Sequence, residues 1–196
     1  MICPLDFLNI DLKGFYKMKH TLSILVENHA GVLARISGLF ARRGFNIHSL
    51  AVGVTEDEKI SRVTIVADGD DYTLEQIEKQ LNKLIDVIKV RTVKPDELLE
   101  RELILVKVSC NAQQRHELIS IAKITQAKIS DISVDSMTLE LSDCQSRLEN
   151  FQELLRPYGI KEIVRTGTIA IQKGTSALRI QFNNFVQLGA LLQIIK

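Results

Sequence analysis

The sequence predicts an α+β protein built from two ferredoxin-like domains in tandem, each a β-α-β-β-α-β unit. Three observations carry that expectation. Apolar and polar residues alternate where each half opens, two helix-period segments follow in each half, and the whole order recurs about 80 residues later. At 196 residues the chain is long enough for two cores of about 75 to 85 residues each.

The first unit opens with Leu22, Ile24 and Val26 alternating with Thr21, Ser23 and Glu27, the period of a half-buried strand. A turn at residues 28–31 leads to Val32, Leu33, Ile36, Leu39 and Phe40, spaced along one face of a helix. Arg42 and Arg43 complement the carbonyl end of that helix, and Gly44 supplies a residue able to take positive φ. Residues 45–55 and 60–67 read as strands joined over Glu56, Asp57 and Glu58, short enough for an antiparallel hairpin. Leu74, Ile77, Leu81 and Leu84 mark a second helix entered through Asp70, Asp71 and Thr73, and residues 87–93 supply the fourth strand.

Pro95 lies in the charged run Lys94-Pro95-Asp96-Glu97 and cannot donate to a ladder, so residues 95–100 read as a linker. The chain then divides into a loose extension at 1–17 with Met18 as an alternative start, a first domain at 18–94, the linker, a second domain at 101–174 and a tail at 175–196. In the second domain, residues 103–110 read as a strand, 113–126 as a helix turning Leu118, Ile121, Ala122 and Thr125 inward, and 129–134 and 137–141 as two more strands. Ser142 and Asp143 cap a helix with Leu148, Phe151, Leu154 and Leu155 on one face, and Pro157 precedes a last strand at 160–166. The tail is apolar at Phe185, Val186, Leu188, Leu191, Leu192, Ile194 and Ile195, a pattern that could form a docking helix, and its role is not legible in the sequence. Sheets of this kind carry helices on one face only, so edge strands and a bare face call for self-association.

Lys and Arg number 25 against 24 Asp and Glu, a net charge of +1 that offers no single-sign field to a nucleic acid or an anionic membrane. No apolar run reaches the ~18 residues of a bilayer span, and residues 1–18 suit neither a secretory signal nor a transit peptide. The expected location is the cytoplasm, or the plastid stroma if the chain is plastid-encoded. Cys3, Cys110 and Cys144 lie far apart in no C-x-x-C pair, as expected of free thiols in a reducing compartment. His20, His29, His48 and His116 lack metal-ligand spacing, and the glycines match neither phosphate-loop pattern. No set of nucleophile, base and orienting group is visible, so the reading holds no catalytic residue, no metal site and no cofactor in this chain. RNA-binding domains share the strand order, but aromatic residues are only 5%, and Arg43-Gly44-Phe45 is a mere fragment of their motif.

One stretch has the design of a binding site: Glu27, Asn28, His29, Ala30, Gly31, Val32 and Leu33, where a strand ends and a helix begins. Amides at a helix N-terminus attract a carboxylate, and Gly31 lets a ligand approach the backbone. Asn28 offers an acceptor to an α-ammonium and donors to a carboxylate. The same residues also suit a plain turn, with Asn28 capping the helix and Gly31 easing the bend, and the physics of the segment leaves both readings open.

Residues 25–50, LVENHAGVLARISGLFARRGFNIHSL, closely resemble the opening of acetohydroxyacid (acetolactate) synthase small subunits, which are regulatory proteins with an N-terminal ACT domain. Residues 61–65 (SRVTI), 74–84 (LEQIEKQLNKL) and 101–108 (RELILVKV) extend the resemblance, which spans about residues 18–174. It implies an N-terminal ACT domain, a C-terminal ACT-like domain and homodimerisation through the former. It also implies a large catalytic partner that carries thiamine diphosphate, Mg²⁺ and FAD and makes acetolactate. The small subunit of that family activates the large one and confers feedback inhibition, usually by valine bound where two ACT domains meet. On this sequence the effector is expected to contact Asn28, the backbone of His29, Ala30, Gly31, Val32 and Leu33, and Asn46 with Ile47 from the neighbouring protomer. An ACT-type amino-acid sensor of a different enzyme, or of transcription, is the alternative. His29 and His48 depart from the acidic or small polar residues often found at these places, and both are read as exposed bystanders.

Overall fold

A computed structural model describes residues 8–10 and 16–179. Its strands are β1 (Leu8–Ile10), β2 (Tyr16–Glu27), β3 (Ile47–Val54), β4 (Ile60–Gly69), β5 (Val87–Val93), β6 (Leu98–Ser109), β7 (Lys128–Ile132), β8 (Ser136–Asp143), β9 (Ile160–Arg165) and β10 (Ile169–Gln172). Its α-helices are α1 (Val32–Arg43), α2 (Asp71–Leu81), α3 (Gln114–Thr125) and α4 (Gln145–Leu155). The first sheet runs β3-β4-β2-β5 and the second β7-β8-β6-β9, all antiparallel. This is the strand order of the ferredoxin-like unit, once in each half, and the α+β class expected from the sequence is the class observed.

Alternation places Leu22, Ile24 and Val26 of β2 and Val63, Ile65 and Ala67 of β4 on one face, where they pack against Ile36, Leu39 and Phe40 of α1 and Ile77 and Leu81 of α2. A matching core in the second half joins Ile104, Val106 and Val108 to Met137, Leu139, Leu118, Leu148 and Phe151. Phe40 and Phe151 are the bulkiest fully buried side chains among the described residues, and truncating either would cost about 3 to 5 kcal/mol.

Several boundaries differ from the sequence reading. β2 begins at Tyr16, and its first residues pair with β1, whereas the expected strand opened at Thr21. β6 begins at Leu98, so Pro95–Glu97 form only a 3-10 turn and residues 98–100 are already strand. Ser142 and Asp143 close β8 rather than cap α4: the N-cap is Cys144, whose amide donates to Asp143 Oδ1 at 2.8 Å. Cys110 is a free, buried thiol, whereas Cys144 is disulfide-bonded and departs from the expected free state; Cys3 lies outside the described residues. The expected tail helix also lies outside them, beyond Arg179.

The largest difference concerns the helix-free face of the first sheet. Thr21, Ser23 and Leu25 of β2 and Thr64 and Val66 of β4 alternate with core residues, yet all are buried. The chain itself covers them. β10, a strand with no counterpart in the expected order, pairs with the start of β6 and packs Ala170 against Val93 and Leu98. Thr168 N donates to Ser49 Oγ at 2.7 Å, Arg91 donates to Gln172 Oε1 at 2.8 Å, and Arg62 donates to the Leu178 carbonyl at 3.0 Å. The outer strand β3 pairs, among the described residues, only with β4.

Candidate functional site

The loop between β2 and α1 is held from two directions. Glu27 N donates to the Asp86 carbonyl at 2.9 Å, which ties the end of β2 to the turn before β5. Asn28 is fixed twice to the β3–β4 hairpin, its amide donating to the Lys59 carbonyl and its Nδ2 to the Glu58 carbonyl, each at 2.7 Å. Nothing among the described residues donates to Asn28 Oδ1, so that oxygen remains an open acceptor.

Helix α1 starts without a side-chain cap. Its N-cap is Gly31, at φ 91° and ψ −14°, and not Asn28 as one reading of the sequence had it. Of the first four amides, only Arg35 N finds an acceptor among the described residues, the Gly31 carbonyl at 3.0 Å. The amides of Val32, Leu33 and Ala34 are the unsatisfied donors that a carboxylate can use. The side chain of Val32 is buried in the core, so only its backbone is available to a ligand, whereas Leu33 is 42% exposed.

His29 is not a bystander. Its Nε2 lies 3.2 Å from Asp86 Oδ1 and 3.4 Å from Glu27 Oε2, and Nδ1 lies 3.0 Å from the Ala30 carbonyl. Arg35 pairs with the other oxygen of Asp86, which is almost completely buried. His48 is likewise engaged, with Nε2 2.5 Å from Asp68 Oδ2, at the edge of a cavity of about 360 Å³ between the domains. Sequence reasoning missed Asp86, Arg35 and Glu58 as parts of the site. The i to i+4 spacing of Gly31 and Arg35 was a legible signal for one of them, whereas Asp86 and Glu58 reach the loop only through folding.

Asn46 and Ile47 stand at the other end of the same sheet. Ile47 pairs with Ala67, which pairs with His20 of β2, seven positions before Glu27. At about 3.3 Å per residue the two parts of the expected site lie roughly 23 Å apart in one chain. The structure brings Asn28, His29, Ala30, Gly31, Val32 and Leu33 together and leaves Asn46 and Ile47 apart from them.

Two ferredoxin-like domains in tandem, the first with an uncapped helix entered through a glycine turn, define a protein of the ACT class. The family model described as the small subunit-like ACT domain of acetohydroxyacid synthase (AHAS) matches residues 22–89, and the one described as the small subunit of acetolactate synthase matches residues 101–174. The chain is 49% identical over 157 residues to a probable acetolactate synthase small subunit of Archaeoglobus fulgidus, covering 80% of this chain and 98% of that relative. It is 49% identical over 155 residues to the acetolactate synthase small subunit of Mycolicibacterium smegmatis, covering 79% and 91%. The crystal structure of the acetolactate synthase small subunit from Thermotoga maritima superposes with a TM-score of 0.76 at 39% identity, covering 81% of this chain and 99% of that one. The chain belongs to the acetolactate synthase small-subunit family. No described helix is long and apolar enough to cross a membrane.

Proposed function

We propose that this chain is the regulatory subunit of an acetolactate synthase, raising the activity of a large catalytic subunit and conferring feedback inhibition by valine in branched-chain amino acid biosynthesis. The observation that carries the reading is family membership across both domains, joined to an uncapped helix N-terminus beside the open Asn28 Oδ1. Thiamine diphosphate, Mg²⁺ and FAD belong to the large subunit in this reading.

The valine carboxylate takes the amides of Val32 and Leu33, and the ammonium takes Asn28 Oδ1. Leu33 supplies an apolar wall from the same chain. Asn46 and Ile47 come from a second copy, because one chain holds them roughly 23 Å from the loop. Antiparallel pairing of β3 with its counterpart in a second copy sets the start of one β3 beside the end of the other. That end leads into the hairpin whose Glu58 and Lys59 carbonyls hold Asn28. A ligand shared in this way stabilises the dimer it bridges, and a coupling of about 1 to 3 kcal/mol would alter activity about 5- to 150-fold.

The test is to mix the purified chain with its large subunit, follow acetolactate formation and titrate valine. Stimulation by the chain and inhibition by valine are expected, with Asn28→Ala keeping the first and losing most of the second. Acetolactate formation that does not respond to the added chain rejects the regulatory role, and an Asn28→Ala protein with unaltered valine response rejects the site.

A further inference from the structure

Three donor atoms from separate parts of the chain converge beside the loop at residues 27–31. Glu27 closes β2, His29 lies in the loop, and Asp86 lies in the turn before β5; their ligand atoms are all within 4.8 Å of one another. His29 Nδ1 lies 3.0 Å from the Ala30 carbonyl oxygen, which can only accept, so Nδ1 carries a hydrogen. In a neutral ring Nε2 then presents a lone pair, and this lone pair faces two carboxylate oxygens at 3.2 and 3.4 Å. Three acceptors so placed leave a position among them that suits a metal ion.

We propose that Glu27, His29 and Asp86 bind a divalent first-row metal ion of the Zn²⁺ type. Ligands about 2.0 to 2.2 Å from a tetrahedral ion are about 3.3 to 3.6 Å apart, close to the 3.2 and 3.4 Å that separate His29 Nε2 from the two carboxylate oxygens. One imidazole with two carboxylates is a donor set such ions accept. The supporting contacts are those of a built site. The Ala30 carbonyl orients the imidazole, Arg35 holds Asp86 through the oxygen not turned to His29, and Glu27 N bonds the Asp86 carbonyl at 2.9 Å. Two carboxylates and one guanidinium leave a formal charge of −1 to attract the ion. Glu27 and His29 are exposed on their outer sides, which leaves the fourth coordination position to water or to a donor from solution. The inference does not rest on the amino-acid effector, and its test uses neither valine nor a large subunit.

The full chain, stripped with chelator and with its disulfide intact, is titrated with ZnCl₂ by calorimetry slightly above neutral pH. A site lost in His29→Gln and in Glu27→Gln, each weakening Zn²⁺ by at least about tenfold, is the expected result. Circular dichroism confirms that these surface variants remain folded. Co²⁺ in place of Zn²⁺ should give visible bands without the charge-transfer absorption of thiolate ligands. No uptake of Zn²⁺ overturns the proposal. So does binding that both variants leave unchanged, or a thiolate band in the Co²⁺ form.

Discussion

Gly31 shows how much a single backbone conformation decides. At φ 91° it turns the chain from β2 into α1, a region where a Cβ collides with the following carbonyl. Space is not the obstacle, since an added Cβ would meet only Arg35 Nη2, at 3.9 Å. Gly31→Ala should therefore cost about 1 to 2 kcal/mol of stability through backbone strain, read as a lower denaturant midpoint at unchanged slope. An unchanged midpoint would mean that the loop relaxes into another turn. The adjacent Asn28 was legible as polar and turn-forming, but not as the anchor of the hairpin. Its two partners, the Glu58 and Lys59 carbonyls, are backbone atoms some 30 residues away, and backbone acceptors leave no mark on side-chain identity.

At the scale of elements, α2 follows its sequence closely. Asp70 is the N-cap and accepts from Thr73 N at 2.8 Å, as the order Asp70, Asp71, Thr73 suggested. Those hydrogen bonds from Thr73 hold the Asp70 carboxyl below the usual carboxylate range. A depressed acid contributes stability that is present above its unfolded pKa and lost as pH falls through its folded one. Asp70→Ala should therefore lower the melting temperature at neutral pH, with the gap to the parent closing on acidification below the ordinary aspartate range. A gap that stays constant with pH would remove the charged cap as its cause. β10 was not legible in the same way. Its four residues, Ile169–Gln172, are too few to show a period, and both Ile169 and Ile171 remain exposed while only Ala170 is buried against the other domain.

Across the whole molecule, the two units are joined more closely than a linker at residues 95–100 would allow. β6 is shared between its own sheet and the layer laid over the first domain, and Gly167, at φ 81°, lets the turn before β10 approach the Leu50 carbonyl, which an added Cβ would meet at 3.1 Å. Glu100 lies in this junction, paired with Ala170, and burial pushes its carboxyl up, with the Glu102 charge adding to the shift against Arg101 and Lys19. A raised acid binds its proton more tightly folded than unfolded, so its contribution to stability falls as pH rises from the ordinary glutamate value through the raised one. Glu100→Gln is therefore expected to be more stable than the parent at neutral pH and equal to it in acid. A variant less stable at neutral pH would show that Glu100 is paired there as a carboxylate.

The sequence by itself determined the two ferredoxin-like units, because strand and helix periods are local and each apolar stripe has one face to bury. It also marked the loop at residues 27–31, because a glycine before an amphipathic helix is a local signal. Only the tertiary structure decided that Asp86 lies between His29 and Arg35, that Asn46 and Ile47 stand at the far end of the sheet, and that β10 closes the face expected to be bare. These are meetings between distant segments. They are set by sheet register and domain packing, for which no single stretch of sequence carries the period.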